Sequence, residues 1–257
     1  MSIDFFKYQA TGNDFILVDD RKNVFPESNL ALITRMCHRK WGVGSDGLIL
    51  IKNSKEADFE MVFFNPDGSK SFCGNGSRSA VVFAHSLGII TNTCTFRAID
   101  GIHSGVIHGS EVTIHMNDVK EINNVSDSEF FIHTGSPHFI RYVKNVDEIN
   151  INEQAVAIRY ADAYKPGGTN VNFVEEIPAG ISMRTYERGV EGETLSCGTG
   201  VTAAGLSYLF KYKKEGTVNV TTKGGQLQVK ATKKSDGFSD ITLTGPVQLV
   251  FSGNYGY

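Results

Sequence analysis

Cys73-Gly74-Asn75-Gly76 and Cys197-Gly198-Thr199-Gly200 decide how this chain reads. One Cys-Gly-x-Gly motif occurs twice, 124 positions apart in a chain of 257 residues, close to half its length. Each copy follows a strand-like run (residues 61–64 and 183–186) and a glycine-containing turn, and each opens a helix-like stretch. After the first copy, residues 77–87 place Ala80, Phe83, Ala84 and Leu87 on one face and stop at Gly88. After the second, residues 201–210 are apolar almost all round, the mark of a helix buried on every side. The repetition predicts an internal duplication. The fold expected is α+β, with two pseudo-symmetric domains, each a curved, mostly antiparallel, barrel-like sheet wrapped around a central helix.

Outward from the motifs, short runs rich in β-branched and aromatic residues mark strands at residues 15–18, 48–51, 59–64, 112–116, 139–143 and 171–174. The pattern continues at 217–222, 226–231 and 241–244, with Gly224-Gly225 as a hairpin turn. Two further helices are expected. Ser28 can cap one that ends in the cationic turn Arg35, His38, Arg39, Lys40, and Asn152 can cap another that stops at Pro166-Gly167-Gly168. The polar segment 118–129 is the natural boundary, and the run 247–251 after Gly245-Pro246 returns to the first half. This gives domains of 1–117 plus 246–257, carrying Cys73, and 118–245, carrying Cys197.

Composition narrows the function. With 40% hydrophobic and 21% charged residues and a net charge of −3, the chain is not a disordered one. A pI near 6.2 and the lack of a basic block argue against a nucleic-acid partner. The longest stretch free of Asp, Glu, Lys and Arg, residues 79–96, contains His85 and Asn92 and is no membrane span. The start, Met1-Ser2-Ile3-Asp4, lacks a signal-peptide pattern, so a cytoplasmic protein is expected. The 27 glycines exceed the usual share of roughly 7%. The four cysteines show no Cys-x-x-Cys spacing, so neither a disulfide scaffold nor a metal site is expected.

A cysteine at a helix N-terminus faces unpaired backbone N–H groups and the positive end of the helix dipole, which favour its thiolate. Those N–H groups also suit a carboxylate, and flanking glycines let the backbone approach it. If the two halves face each other across a cleft, two thiols flank one bound molecule. One can remove a proton from a carbon while the other delivers one to the opposite face, which is racemisation or epimerisation. One sulfur must be thiolate and the other thiol, so the pair titrates as a unit. Cys37 and Cys94 have no such setting and read as packing residues.

With these motifs in place, the chain resembles the diaminopimelate epimerase family nearly end to end. The resembling segments are Ala10-Thr11-Gly12-Asn13-Asp14-Phe15, Gly42-Val43-Gly44-Ser45-Asp46-Gly47, and Phe64-Asn65-Pro66-Asp67-Gly68-Ser69 leading to Cys73. They continue through Gly135-Ser136-Pro137-His138, Gly168-Thr169-Asn170, and Tyr186-Glu187-Arg188-Gly189 leading to Cys197. The resemblance implies interconversion of L,L- and meso-diaminopimelate on the route to lysine and peptidoglycan precursors. It implies no cofactor, a frequent homodimer, closure around an amino-acid substrate, and an active site between the halves. It implies Cys73 and Cys197 as the acid/base pair, with His138 and Glu187 tuning or orienting them. Asn13, Asn65, Gly74, Asn75, Asn170, Glu187, Arg188, Gly198 and Thr199 are then the substrate-binding positions. Arg188 suits a distal carboxylate, and the Asn side chains suit an ammonium–carboxylate pair.

Three departures bear on the substrate. Gly47 stands where some members carry Gln, Ser136 replaces an Asn, and Gly189-Val190-Glu191-Gly192-Glu193 holds an extra residue. The alternatives are a racemase of this fold acting on histidine, proline or hydroxyproline, a cysteine-dependent redox or hydrolytic enzyme using His138, and a catalytically dead binding protein. Arg188 and the Asn set disfavour proline, a hydrolase needs one nucleophile rather than two equivalent cysteines, and a dead binder has no reason to keep both.

Overall fold

In the computed structural model, which describes residues 2–257, each Cys-Gly-x-Gly segment opens a helix, as expected. In both, the cysteine is the N-cap and Gly-x-Gly is the first helical turn. The chain divides into two compact units, Met1–Ile114 with Gly245–Tyr257, and His115–Thr244.

The first unit runs β1 (Ser2–Ala10), β2 (Asn13–Asp19), α1 (Leu30–Cys37), β3 (Gly47–Lys52), β4 (Phe59–Phe64), α2 (Gly74–Ser86), β5 (Thr93–Ala98), β6 (Gly101–His108) and β7 (Glu111–His115). β2 and β3 pair in parallel, as do β4 and β5, while the pairs β1–β2, β3–β4, β5–β6 and β6–β7 are antiparallel. Parallel neighbours need a crossover, and α1 and α2 supply the two crossovers.

The second unit runs β8 (Ile122–Ser126), β9 (Glu129–His133), β10 (Pro137–Tyr142), α3 (Ile151–Arg159), β11 (Asn170–Ile177), β12 (Gly180–Glu187), β13 (Gly192–Thr194), α4 (Gly198–Lys211), β14 (Gly216–Thr222), β15 (Gly225–Lys234) and β16 (Gly237–Pro246). Its directions repeat the first: β10–β11 and β12–β14 are parallel, and the other pairs are antiparallel. Even the register matches, because Phe15 pairs with Gly47 where His138 pairs with Asn170.

The last strand, β17 (Gln248–Gly256), lies antiparallel to β1 from Ser2 opposite Gly256 to Gln9 opposite Gln248. β8 takes the same place beside β9. The duplication is therefore circularly offset, with one repeat split between the two chain ends.

The core explains the unbroken apolar runs. β2 and β3 are buried on both faces, hence continuous rather than alternating. Ile16, Val18, Leu48 and Leu50 pack with Leu32, Ile33 and Met36 of α1. The central helices carry the other side, with Ala80, Val81, Phe83 and Ala84 of α2 buried, and Val201, Ala203, Ala204, Leu206 and Leu209 of α4. Each large side chain so buried stabilises by about 1.5–3 kcal/mol.

Some expectations are corrected. α1 is capped by Asn29, whose side chain accepts from Leu32 N–H, not by Ser28, and it ends before Arg39 and Lys40. α3 starts at Ile151, so Asn152 lies inside it, and it ends at Arg159 because a 3-10 turn, Asp162–Tyr164, precedes Pro166. The segment 118–129, read as the boundary between the halves, holds β8, a largely exposed strand that needs no apolar alternation.

Candidate active site

In the first unit the β1–β2 hairpin meets the N-terminus of α2. The turn Thr11-Gly12 needs left-handed backbone at both residues (φ 50° and 80°), and it delivers Asn13 to the helix end. Asn13 Oδ1 accepts from Asn75 Nδ2 at 3.2 Å and lies 3.9 Å from Cys73 Sγ. Cys73 is half-buried, and its sulfur accepts from Gly76 N–H at 3.4 Å, an N-cap bond made by a thiol.

Asn13 is itself held, because its Nδ2 donates to Asp46 at 2.6 Å. Asp46 and Asp14 share Arg39, and Asp14 also pairs with Lys7 at 2.7 Å, which donates to the Gly44 carbonyl. Burial opposes the Asp14 charge, but the bonds from Arg39 and Lys7 prevail and hold it at about 2. Burial and the neighbouring Asp14 charge push the Asp46 carboxyl up. Asn65 keeps to its own turn, with Nδ2 donating to Ser69 and Ser71.

In the second unit a chain of neutral groups leads to the cysteine sulfur. Asn172 Nδ2 donates to the Phe139 carbonyl at 2.9 Å, which fixes the amide orientation, and lies 3.2 Å from His138 Nδ1. That nitrogen is therefore the acceptor, so His138 carries its proton on Nε2 and donates to Thr199 Oγ1 at 2.9 Å. The Thr199 hydroxyl is then left to donate to Cys197 Sγ at 3.5 Å. His138 is fully buried. Burial, aided by the charges of His133 and Arg188, pushes it down to about 3 against the Asn172 bond, so it stays neutral at ordinary pH. The Thr134 hydroxyl donates to the Thr199 carbonyl at 2.8 Å and pins this turn.

Arg188 is exposed and forms no ion pair among the described residues, and its backbone N–H is received by Asn170 Oδ1 at 2.9 Å. The other end of the Asn170 amide donates to Ser136 Oγ and the Pro137 carbonyl, both at 2.8 Å, so this side chain braces the site. Ser136 is thus one of the two acceptors that Asn170 uses. Glu187 ends β12, half-buried, just before Arg188. The lengthened turn after Arg188 is braced too. Glu191, at φ 56°, is gripped by Arg159 at 2.7 Å and by the Tyr160 hydroxyl at 2.8 Å.

The structure thus gathers Asn13, Cys73, Gly74 and Asn75 at one helix end, and His138, Cys197, Gly198 and Thr199 at another. Asn170, Glu187 and Arg188 belong to the second set, and Asn65 sits in the loop leading to Cys73. Asn172, Thr134 and Asp46 are supporting residues that the motif reading missed. Only Asn172 left a signal, lying two positions after Asn170 and so on the same face of β11. Among the described residues no disulfide joins the cysteines, and burial pushes the Cys94 thiol up to about 12. Among the described residues no group of three or more His, Cys, Asp and Glu could hold a metal ion, and no helix is long and apolar enough to cross a membrane.

Residues 5–120 and 130–250 match the family model described as diaminopimelate epimerase. The chain belongs to the diaminopimelate epimerase family. A relative from Flavobacterium psychrophilum bearing that name is 44% identical over 96% of this chain and 97% of its own length. One from Aquifex aeolicus is 40% identical over 98% and 97%. Family membership makes the chain an isomerase of the racemase/epimerase class.

Among solved structures, a Bacillus anthracis phenazine biosynthesis protein of the PhzF family superposes with a TM-score of 0.81 at 17% identity, covering all of both chains. A hydroxyproline epimerase from Agrobacterium vitis gives 0.71 at 14%, covering 98% of this chain and 92% of that one. Identities this low speak for the fold alone, which is the two-domain α+β architecture expected.

Proposed function

We propose that the protein interconverts L,L- and meso-diaminopimelate by a two-base mechanism in which Cys73 and Cys197 act on one α-carbon. The observation that carries this reading is the repeated cysteine N-cap, present in both units, each with a polar group near its sulfur. The thiolate of one cysteine takes the α-proton and becomes a thiol. The other thiol donates its proton to the opposite face and becomes the thiolate. Between these transfers the α-carbon carries negative charge, delocalised into its carboxylate. Backbone N–H groups at the starts of α2 and α4 are the donors suited to that carboxylate.

The distal amino-acid end of the substrate goes to Arg188, whose guanidinium suits a carboxylate, with Glu187 orienting its ammonium. Asn170 holds the Arg188 backbone in place. The two thiols must stay reduced, which suits a cytoplasmic enzyme, and the mechanism asks for no cofactor. A homodimer fits the exposed apolar run Leu249, Val250 and Phe251 of β17, at 49%, 54% and 46% exposure.

The test is incubation of the reduced protein with L,L-diaminopimelate in D₂O. Meso product with deuterium at the inverted α-carbon supports the reading, and inversion of histidine but not diaminopimelate moves the substrate to the rival. Full activity in Cys197→Ala would end the two-base mechanism.

A further inference from the structure

The chemistry above leaves one buried charge unused. Arg78 lies on α2, just past the first turn that Cys73 caps, and is fully buried. Its Nη2 donates to Thr11 Oγ1 at 3.3 Å, whereas Nε and Nη1 meet no hydrogen-bond partner. Arginine keeps its proton at ordinary pH, and a buried cation without a counter-charge costs several kcal/mol. The guanidinium and the thiol converge on one hairpin, because Thr11 lies two residues before Asn13, whose Oδ1 is 3.9 Å from Cys73 Sγ. Burial pushes Arg78 down to about 10, and the Cys73 charge is what opposes that. The attraction is mutual, so it favours the Cys73 thiolate equally.

Several titratable groups on the strands packed against α2 are engaged elsewhere. Lys7 of β1 pairs with Asp14 of β2, Lys52 of β3 with Glu27, and His103 of β6 with Asp100. Tyr8 of β1 bonds Ser86, and Glu60 of β4 forms no ion pair among the described residues. The carbonyl end of Asn13 works the other way, since it can only accept from a thiol, but its contact is long. In the second unit the matching helix position is Thr202, which bonds the Gly198 carbonyl at 3.0 Å, His138 is neutral, and the cationic groups that act on it, Arg188 and His133, are exposed and screened by water.

The geometry points to Arg78 as a positioning residue that acts through Cys73, a buried counter-cation making Cys73 rather than Cys197 the resting thiolate. This rests on the reading in which both sulfurs exchange protons, but its test uses no substrate. Alkylation of Cys73 and Cys197 by iodoacetamide is followed separately by peptide mass spectrometry between pH 5 and 10. The proteins compared are the unaltered chain, Arg78→Met and Arg78→Lys.

The expected result is a Cys73 midpoint raised by about one pH unit or more in Arg78→Met, near its original value in Arg78→Lys, with Cys197 unmoved. An unmoved Cys73, or an equal shift at both cysteines, overturns the proposal. Should Arg78→Met not fold, thiolate absorbance at neutral pH decides. It is lost in Cys73→Ala and kept in Cys197→Ala if the proposal holds, and the reverse pattern overturns it. Failure to turn over diaminopimelate would sink the substrate assignment and leave this result standing.

Discussion

At the scale of single residues, the two cysteines are served by different chemistry. Cys197 depends on a chain of neutral groups, Asn172 to His138 to Thr199, and the last link is one hydroxyl. Thr199→Val keeps the side-chain shape and removes that link. Turnover is expected to fall by about a hundredfold with little change in KM, read by steady-state kinetics. His138 gives a second prediction with a defined sign. Its folded pKa lies near 3, below the 6.5 of a free imidazole, so the unfolded chain binds more protons between those values. Its contribution to stability is therefore whole above pH 6.5 and is lost on acidification from 6.5 towards 3, by up to about 1.4 kcal/mol per pH unit. Urea unfolding across that window should show this slope in the original chain and a flatter one in His138→Gln. An unchanged slope would mean that His138 is not held neutral.

At the scale of elements, glycines divide between the site and the packing of α4. A Cβ on Gly200 would come within 2.7 Å of Asn172 Oδ1 and 3.2 Å of the His138 ring, whereas one on Gly205 would meet Val229 Cβ at 2.7 Å. Gly200→Ala should therefore lose activity while keeping most stability. Gly205→Ala should lose about 1–3 kcal/mol in denaturant unfolding and keep the thiol chemistry of the molecules that fold. The reverse assignment would refute the division. The duplication and the doubly buried strands were legible because they write themselves as repeated motifs and unbroken apolar runs. β1 was not, since Asp4, Lys7 and Gln9 interrupt it, and Lys7 is buried only because Asp14 and Gly44 receive its ammonium. The two central helices start at Gly74 and Gly198, three residues before the stretches read as helical, because Gly-x-Gly has low helix propensity. The cysteines themselves could be read from the motifs. Asp46 and Arg78 could not, because their roles depend on partners far off in the chain, and Asn172 was marked only by its spacing from Asn170.

At the scale of the molecule, the circular offset of the repeat makes the position of the chain ends incidental. Ser2 and Gly256 are paired neighbours, and Lys120-Glu121 is exposed. A permutant with its ends joined by a short Gly-Ser linker and opened between Lys120 and Glu121 should fold with native circular dichroism and native cysteine reactivity. An aggregated or molten product would show that the order of the strands matters beyond their pairing. The β1–β17 pairing also sets a timetable for synthesis on the ribosome. The His115–Thr244 unit is continuous and can complete its sheet as soon as it emerges. β1 must wait for β17, so the half of this sequence translated first is finished second, with β1 unpaired on its outer side until β17 emerges.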